Sequence, residues 1–212
     1  MGVLTMYQPP LFKEEREDVL HDLIRSHSFG TLVTLENGEI NANHLPFFLR
    51  DNNTLCAHIS KGNPLWKTIK ETDNILVIFQ GPHHYISPNW YPSKQEHHKE
   101  VPTWNYFVVH AYGNLKIIED PDWIRHHLDE LTDQNEKIED VPWKVSDAPE
   151  KFVAQQINGI VGIEIEITKL EGKSKAGQNK KQPELCGVVN ALEKLDSTDA
   201  QKMSKIINNL VK

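Results

Sequence analysis

Thr31-Leu-Val-Thr-Leu-Glu-Asn-Gly-Glu-Ile-Asn-Ala-Asn-His-Leu-Pro-Phe-Phe-Leu49 is the stretch on which the fold turns. Asn37-Gly38 between two apolar runs is a strong short-range hairpin signal, because both central turn residues must take positive φ. It separates a strand over 31–35 from one over 39–49. Asp51-Asn-Asn53 marks a second turn and Leu55 to Ser60 a third strand. Three sequential antiparallel strands favour a meander over βαβ winding.

Working outward, residues 13–27 read as an amphipathic helix with Val19, Leu20, Leu23, Ile24 and His27 on one face, stopped by Gly30. Asn63-Pro64 has the form of an N-cap followed by proline at the first helical position, opening a short helix from Leu65 to Glu71. Ile75 to Phe79 is a fully apolar strand, expected to be central, and Asn105 to Ile118 is the longest strand candidate. An aromatic loop fills about 80–104 between them. Asp120-Pro121 repeats the cap-plus-proline signature before a helical stripe of Trp123, Ile124, His127, Leu128 and Leu131. An acidic, irregular stretch over 133–148 and a short helix around 149–157 lead to a strand from Ile160 to Ile167. From Gly162 that strand alternates strictly, so one face is wet. A lysine-rich loop at 171–183 precedes helices over Leu185–Leu195 and Thr198–Leu210, the second capped by Asp196 or Ser197. The fold class is therefore α+β, mainly antiparallel β, with peripheral helices on a small barrel. Residues 1–170 form the barrel domain, and 171–212 the lysine-rich loop and C-terminal helices packed on it.

The 212 residues suffice for one full core. A net charge of −7 argues against a broadly basic nucleic-acid surface, although a local basic patch is compatible with it. No charged-then-apolar leader opens the chain, and no apolar run approaches the length that spans a bilayer. Cys56 and Cys186 have neither metal spacing nor a disulfide framework, which reads as a reducing, cytoplasmic setting.

Several segments carry candidate chemistry. Phe79-Gln-Gly-Pro-His-His-Tyr-Ile-Ser-Pro-Asn-Trp-Tyr91, answered by Val101-Pro-Thr-Trp-Asn-Tyr106, is poor material for a dry core, because buried indole, phenol and amide groups all need partners. It suits a flat, polar-edged ligand, and equally an obligate dimer contact. His58-Ile-Ser-Lys-Gly-Asn-Pro64 ends a strand and opens a helix. Its hydroxyl, ammonium and amide groups could hold a phosphate, and the competing reading is an ordinary strand–loop–helix junction. Glu171-Gly-Lys-Ser174 is no P-loop, since Ile167 stands where the first glycine is required. The adjacent pairs His83-His84, His97-His98 and His126-His127 point their rings apart in strand or helix, so they chelate poorly, and no metal site is assigned. His44, His58 and His110 lie in expected strands and face a ligand, ligate a haem or satisfy a core hydrogen bond. Ser60 and Ser87 lack a glycine-flanked elbow, and no catalytic residue is assigned.

The two aromatic segments resemble the signature segments of the PaiB family, the FMN-binding negative transcriptional regulators. Tyr7-Gln-Pro9, Asn43-His-Leu-Pro46, His58-Ile-Ser-Lys-Gly-Asn-Pro64 and Glu171-Gly-Lys-Ser-Lys-Ala-Gly-Gln-Asn179 match in order over nearly the whole chain. The resemblance implies an FMN-binding split β-barrel, related to pyridoxine phosphate oxidases and haem-utilisation proteins, acting as a homodimeric repressor in the cytoplasm. By position it implies that Ser60, Lys61 and Asn63 hold the FMN phosphate and that the isoalloxazine lies near Asn43, His44, Leu45 and His58. Trp104 and Asn105 are implied as the partner subunit's contribution, and Gln178 and Asn179 as cofactor neighbours. The family usually has alanine where Ser60 and Gly62 stand, and Leu-Ser where Ala176-Gly177 stands. Two other functions fit such a barrel: a flavin-dependent oxidoreductase and a haem-binding protein. Direct DNA contact has little support beyond the lysine-rich stretch at 169–181 and the C-terminal helices.

Overall fold

The hairpin forms where its sequence places it. In the computed structural model, which describes residues 6–36, 38–69 and 74–211, β2 (Phe29–Glu36) pairs antiparallel with β3 (Glu39–Pro46) from Phe29↔Pro46 to Glu36↔Glu39. Asn37 lies outside the described residues; Gly38 takes φ +86°, the left-handed conformation such a two-residue turn needs. The expected strand over 39–49 is broken at Phe47, and its remainder is β4 (Phe48–Arg50), which turns back through residues 51–53 onto β5 (Thr54–Ser60). The other elements are β1 (Lys13–Glu14), α1 (Glu17–Ser26), α2 (Leu65–Thr68), β6 (Asn74–Ile86), α3 (Lys94–His97), β7 (Thr103–Ile118), α4 (Pro121–Asn135), α5 (Glu150–Asn158), β8 (Ile160–Lys175), α6 (Gln182–Leu192) and α7 (Thr198–Val211). Residues 70–71 of the expected first short helix lie outside the described residues. The sheet order is β3-β2-β6-β7-β8-β5-β4, with β1 added to β8.

The chain divides into two compact units. One comprises His21–Phe79 and His110–Leu170. Its sheet buries alternate residues: Leu32, Leu55, Val77, Ala111, Ile163 and Ile165 are fully enclosed. Each such aliphatic side chain larger than alanine contributes about 1.5–3 kcal/mol of burial. The rings of Phe47 and Phe79 meet edge to face at 5.6 Å within it. On the far side of β5 and β8, α4 and α5 close a smaller cluster of Ile124, Val145, Val153 and Ile157. The Asp120 carboxylate accepts from Asp122 N at 2.9 Å, so α4 starts on the cap its sequence announced. Trp123 then lies over Gly162, where an added Cβ would sit 2.3 Å from the indole. Gly162→Ala is expected to cost about 1–2 kcal/mol, because the ring has to tilt off its seat; the urea midpoint at unchanged m-value measures it.

The other unit comprises the described residues of Met1–Leu20, with Gln80–Val109 and Glu171–Lys212. Its core packs α6 and α7 on Ile86, Tyr91 and Ala176. Two expectations are corrected here. Residues 80–86 continue β6 instead of opening the aromatic loop, and 171–175 continue β8 instead of opening the lysine-rich loop. Among the described residues β2 pairs with Leu76, Val77 and Ile78 of β6, so that ladder stops short of Pro82, which has no N–H to give it. In β8, Lys173 and Gly172 are held by β1, with Lys13↔Lys173 and Glu14↔Gly172 in register. Glycine and lysine suggest a loop only until a neighbouring strand claims their backbone.

Candidate functional site

The turn after β5 is built by its own backbone. Lys61 N donates to Gly159 O at 2.8 Å and Asn63 N to Ser60 O at 2.9 Å. Gly62 N donates to Ser60 Oγ at 3.1 Å, which leaves the serine's own hydroxyl proton free to donate outward. Asn63 Oδ1 accepts from Leu65 N at 3.0 Å, so this asparagine caps α2 with the proline beside it, as its position in the sequence predicts. Trp66 Nε1 donates to Lys61 O at 3.0 Å, fixing the turn from its far side. Lys61 is exposed and makes no ion pair among the described residues.

The second side of the site comes from β3. Asn63 Nδ2 donates to Asn43 Oδ1 at 2.8 Å, joining the edge strand of the hairpin to the turn after β5. That bond links the two flanks of the sheet. Asn43 pairs across the hairpin with the fully buried Leu32, so it sits at the rim of the apolar interior. Leu45, opposite Gly30, continues the same face and is half-buried. Asn41 and Thr34 extend the rim, both donating to Glu36 Oε1, at 3.2 and 3.1 Å. The rim thus presents amides and hydroxyls above an apolar floor, which is how a planar ligand with polar edges is held.

Two expected site residues point elsewhere. His44 lies on the opposite face of β3, bonded through Nδ1 to Thr31 Oγ1 at 3.0 Å and 6.4 Å from the ring of Phe29. His58 faces α4, where its Nδ1 meets His127 Nε2 at 3.1 Å. Burial holds the His58 imidazole below its ordinary value, so its neutral form dominates. Cys56, two residues earlier on the same face, is likewise pushed up to about 12 by burial and is no nucleophile at neutral pH.

In the other unit, Trp104 is 54 % exposed and stacks on His83 at 6.2 Å, with Tyr85 edge-on at 6.1 Å. Asn105, its neighbour in β7, faces inward and is buried. Gln178 spends its amide locally: Oε1 accepts from Ala176 N at 2.8 Å and Nε2 donates to Ser174 O at 2.5 Å. Asn179 is exposed. Lys173 lies over Tyr7 at 5.2 Å and Tyr106 at 5.6 Å, an arrangement that sequence reading missed because it joins the start of the chain to β7 and β8.

Comparison with known proteins bears on the family and the fold. The sequence model of a family described as "Putative FMN-binding domain" matches residues 6–169. The chain is 32% identical over 210 residues to the protease synthase and sporulation protein PAI 2 of Bacillus subtilis, covering 98% of this chain and 99% of that one. It is 33% identical to an uncharacterized protein of Emericella nidulans, over 98% of this chain and 96% of the other. Among solved structures, a FAD- and haem-binding protein from Mycobacterium smegmatis superposes with a TM-score of 0.57 at 19% identity, over 77% of this chain and 72% of its own. A flavocytochrome from Azotobacter vinelandii gives 0.54 at 15%, over 78% of this chain and 70% of its own. These structures share the split-barrel fold, so the expected architecture holds.

Proposed function

Because this chain belongs to the FMN-binding domain family, in its PaiB branch, we propose that it is a homodimeric flavoprotein of the cytoplasm that acts as a negative regulator of transcription. FMN is its cofactor. The observation that carries the site is the Asn63–Asn43 bond, which sets the turn after β5 beside the apolar interior. In this reading Lys61 Nζ and the Ser60 hydroxyl hold the phosphate, and Asn43, Leu45 and Asn63 line the isoalloxazine. His44 and His58 support the site through their strands and do not touch the ring. Trp104 and Asn105 of the partner subunit cover it, with Gln178 and Asn179 near that wall. Bound FMN supplies a planar redox centre that carries one or two electrons.

A dimer is supported by one face of the hairpin, where Phe29 is 69 % exposed, Leu35 64 % and Ile40 79 %. All three stand on the same side of β2 and β3, and such a patch on an edge hairpin is costly to leave in water. A flavin-dependent oxidoreductase is the second reading, favoured by the exposed Trp104–His83–Tyr85 platform, which suits a planar substrate.

The visible spectrum of the purified protein is the deciding measurement. We expect the bands of an oxidised flavin and a mass of two chains. A Soret band without flavin, or a colourless protein that takes up no added FMN, overturns the cofactor assignment. Regulator and oxidoreductase then separate on whether the flavin-loaded dimer retards an operator fragment or turns over a nicotinamide-linked electron acceptor.

A further inference from the structure

His58 and His127 form an imidazole pair inside one unit, between β5 and α4. His127 is completely buried, stacked on Trp123 at 5.4 Å with planes 23° apart, and edge-on to His58 at 5.3 Å. Its Nε2 meets His58 Nδ1 at 3.1 Å, and its own Nδ1 is buried with no hydrogen-bond partner among the described residues. A hydrogen bond between two imidazole nitrogens needs one N–H and one lone pair. The neutral pair satisfies it, and a singly protonated pair still can. A doubly protonated pair sets two N–H groups head to head in an apolar seat.

Every neighbouring charge leaves the pair without a carboxylate of its own. Arg50 from β4 is bonded to Glu130 of α4 and lies 3.8 Å from Glu164 of β8. Glu164 Oε2 also accepts from Trp123 Nε1 at 3.1 Å, and Glu130 reaches His126 at 3.4 Å. Cys56 stays an uncharged thiol. Thus Arg50 and His126 repel a proton on the pair, while both nearby carboxylates are already engaged.

We propose that the His58–His127 pair is an acid-sensitive latch, which fastens α4 to β5 while neutral and releases it as both rings take up protons. Burial first, and then the charges of His58, Arg50 and His126, hold His127 down to about 3, and burial holds His58 below 6.5. Folded protein with the latch closed binds fewer protons than the opened form. The latch is therefore fully closed above pH 6.5 and weakens as pH falls toward the folded values. Its release loosens β5 on the helix side, two residues before Ser60, whether or not that turn binds a phosphate.

Amide hydrogen exchange of the purified protein, corrected for the intrinsic pH dependence, reads the latch directly. Peptides from α4 are expected to lose protection by up to about tenfold per pH unit below pH 6.5 for each proton taken up, while β2 and β3 keep theirs. His127→Gln, which still bonds His58 but does not titrate, should flatten that step. His126→Gln, which removes the smallest of the causes holding His127 down, should lessen it without abolishing it. Protection of α4 that is flat with pH in the wild type, a step that survives His127→Gln, or one abolished by His126→Gln overturns the proposal. If His127→Gln fails to fold, the imidazole resonances of the wild type decide: either ring of the pair titrating near 6.5 overturns the latch, and two rings still neutral well below it uphold it.

Discussion

Replacing Lys61 and Ser60 together by alanine is expected to weaken FMN binding about a hundredfold, with Lys61→Ala alone giving about tenfold. The turn places an ammonium and a hydroxyl side by side, and both are unspent on the protein: Lys61 makes no ion pair among the described residues, and Ser60 Oγ only accepts, from Gly62. A hydrogen bond to a charged group contributes about 1.5–3 kcal/mol, and solvent exposure of Lys61 puts its share at the low end. Two such losses at the low end sum to about 3 kcal/mol, a factor of roughly a hundred. Neither substitution reaches the core, so the fold is expected to survive. Quenching of flavin fluorescence gives the dissociation constant, and riboflavin is the control. Lacking the phosphate, it should lose no more than about twofold in the double variant. Equal losses for FMN and riboflavin would mean that the turn shapes the ring pocket instead. Unchanged FMN affinity would remove Ser60 and Lys61 from the site altogether.

Much of this was readable from residue order, and the limits follow from the range over which each signal acts. The hairpin and both proline-led caps were legible because their signals are local: a turn needing positive φ at Gly38, and an acceptor two residues before a free N–H at Asn63 and at Asp120. The register was implicit too. A two-residue turn after Glu36 pairs Glu36 with Glu39 and so sets Thr31 against His44, the partner that accounts for that histidine. What stayed hidden were contacts made across the sheet. Nothing near His58 announces His127, 69 residues later, and the same helical stripe that marks His127 as inward says nothing of what it meets. The two misplaced boundaries have a common cause. Gly81-Pro82 and Gly172-Lys173 carry loop composition, yet both lie in strands; at Gly172-Lys173 propensity yields because β1 satisfies the ladder. The candidate phosphate turn was thus found by chemistry within seven residues, whereas Asn43 joins it only through a bond between the flanks of the sheet.

Gly187→Val should be the most destabilising single change in the C-terminal helices, by about 3 kcal/mol or more, with Gly187→Ala costing about 1–3 kcal/mol. The direction is not obvious, because two terms favour the alanine. Helix propensity gains about 1 kcal/mol when glycine leaves a helix interior, and the unfolded chain loses freedom worth about 0.4–1 kcal/mol. Against them stands the seat of α6 on the turn at Pro88–Trp90. A Cβ at position 187 would lie 2.2 Å from Trp90 O and 3.0 Å from Pro92 Cδ, and the nearer atom is backbone. That turn is held in place. Ser87 Oγ accepts from Asn89 N at 3.2 Å, Ser93 N donates to the buried Glu184 at 3.2 Å, and Tyr91 is buried with its phenol pushed up to about 12 by burial and by Glu100 and Glu184. The helix must therefore lift, which opens Leu185, Val188 and Leu192 to water. Exposing even one of these outweighs the propensity gain. Asn190→Ala, on the exposed side of the same helix, supplies the comparison and should be neutral or stabilising by a few tenths of a kcal/mol. Urea midpoints of the three variants at a common m-value give the ordering. If Gly187→Ala matched Asn190→Ala, α6 would not be seated on Trp90, and the aromatic turn would be free to move without it.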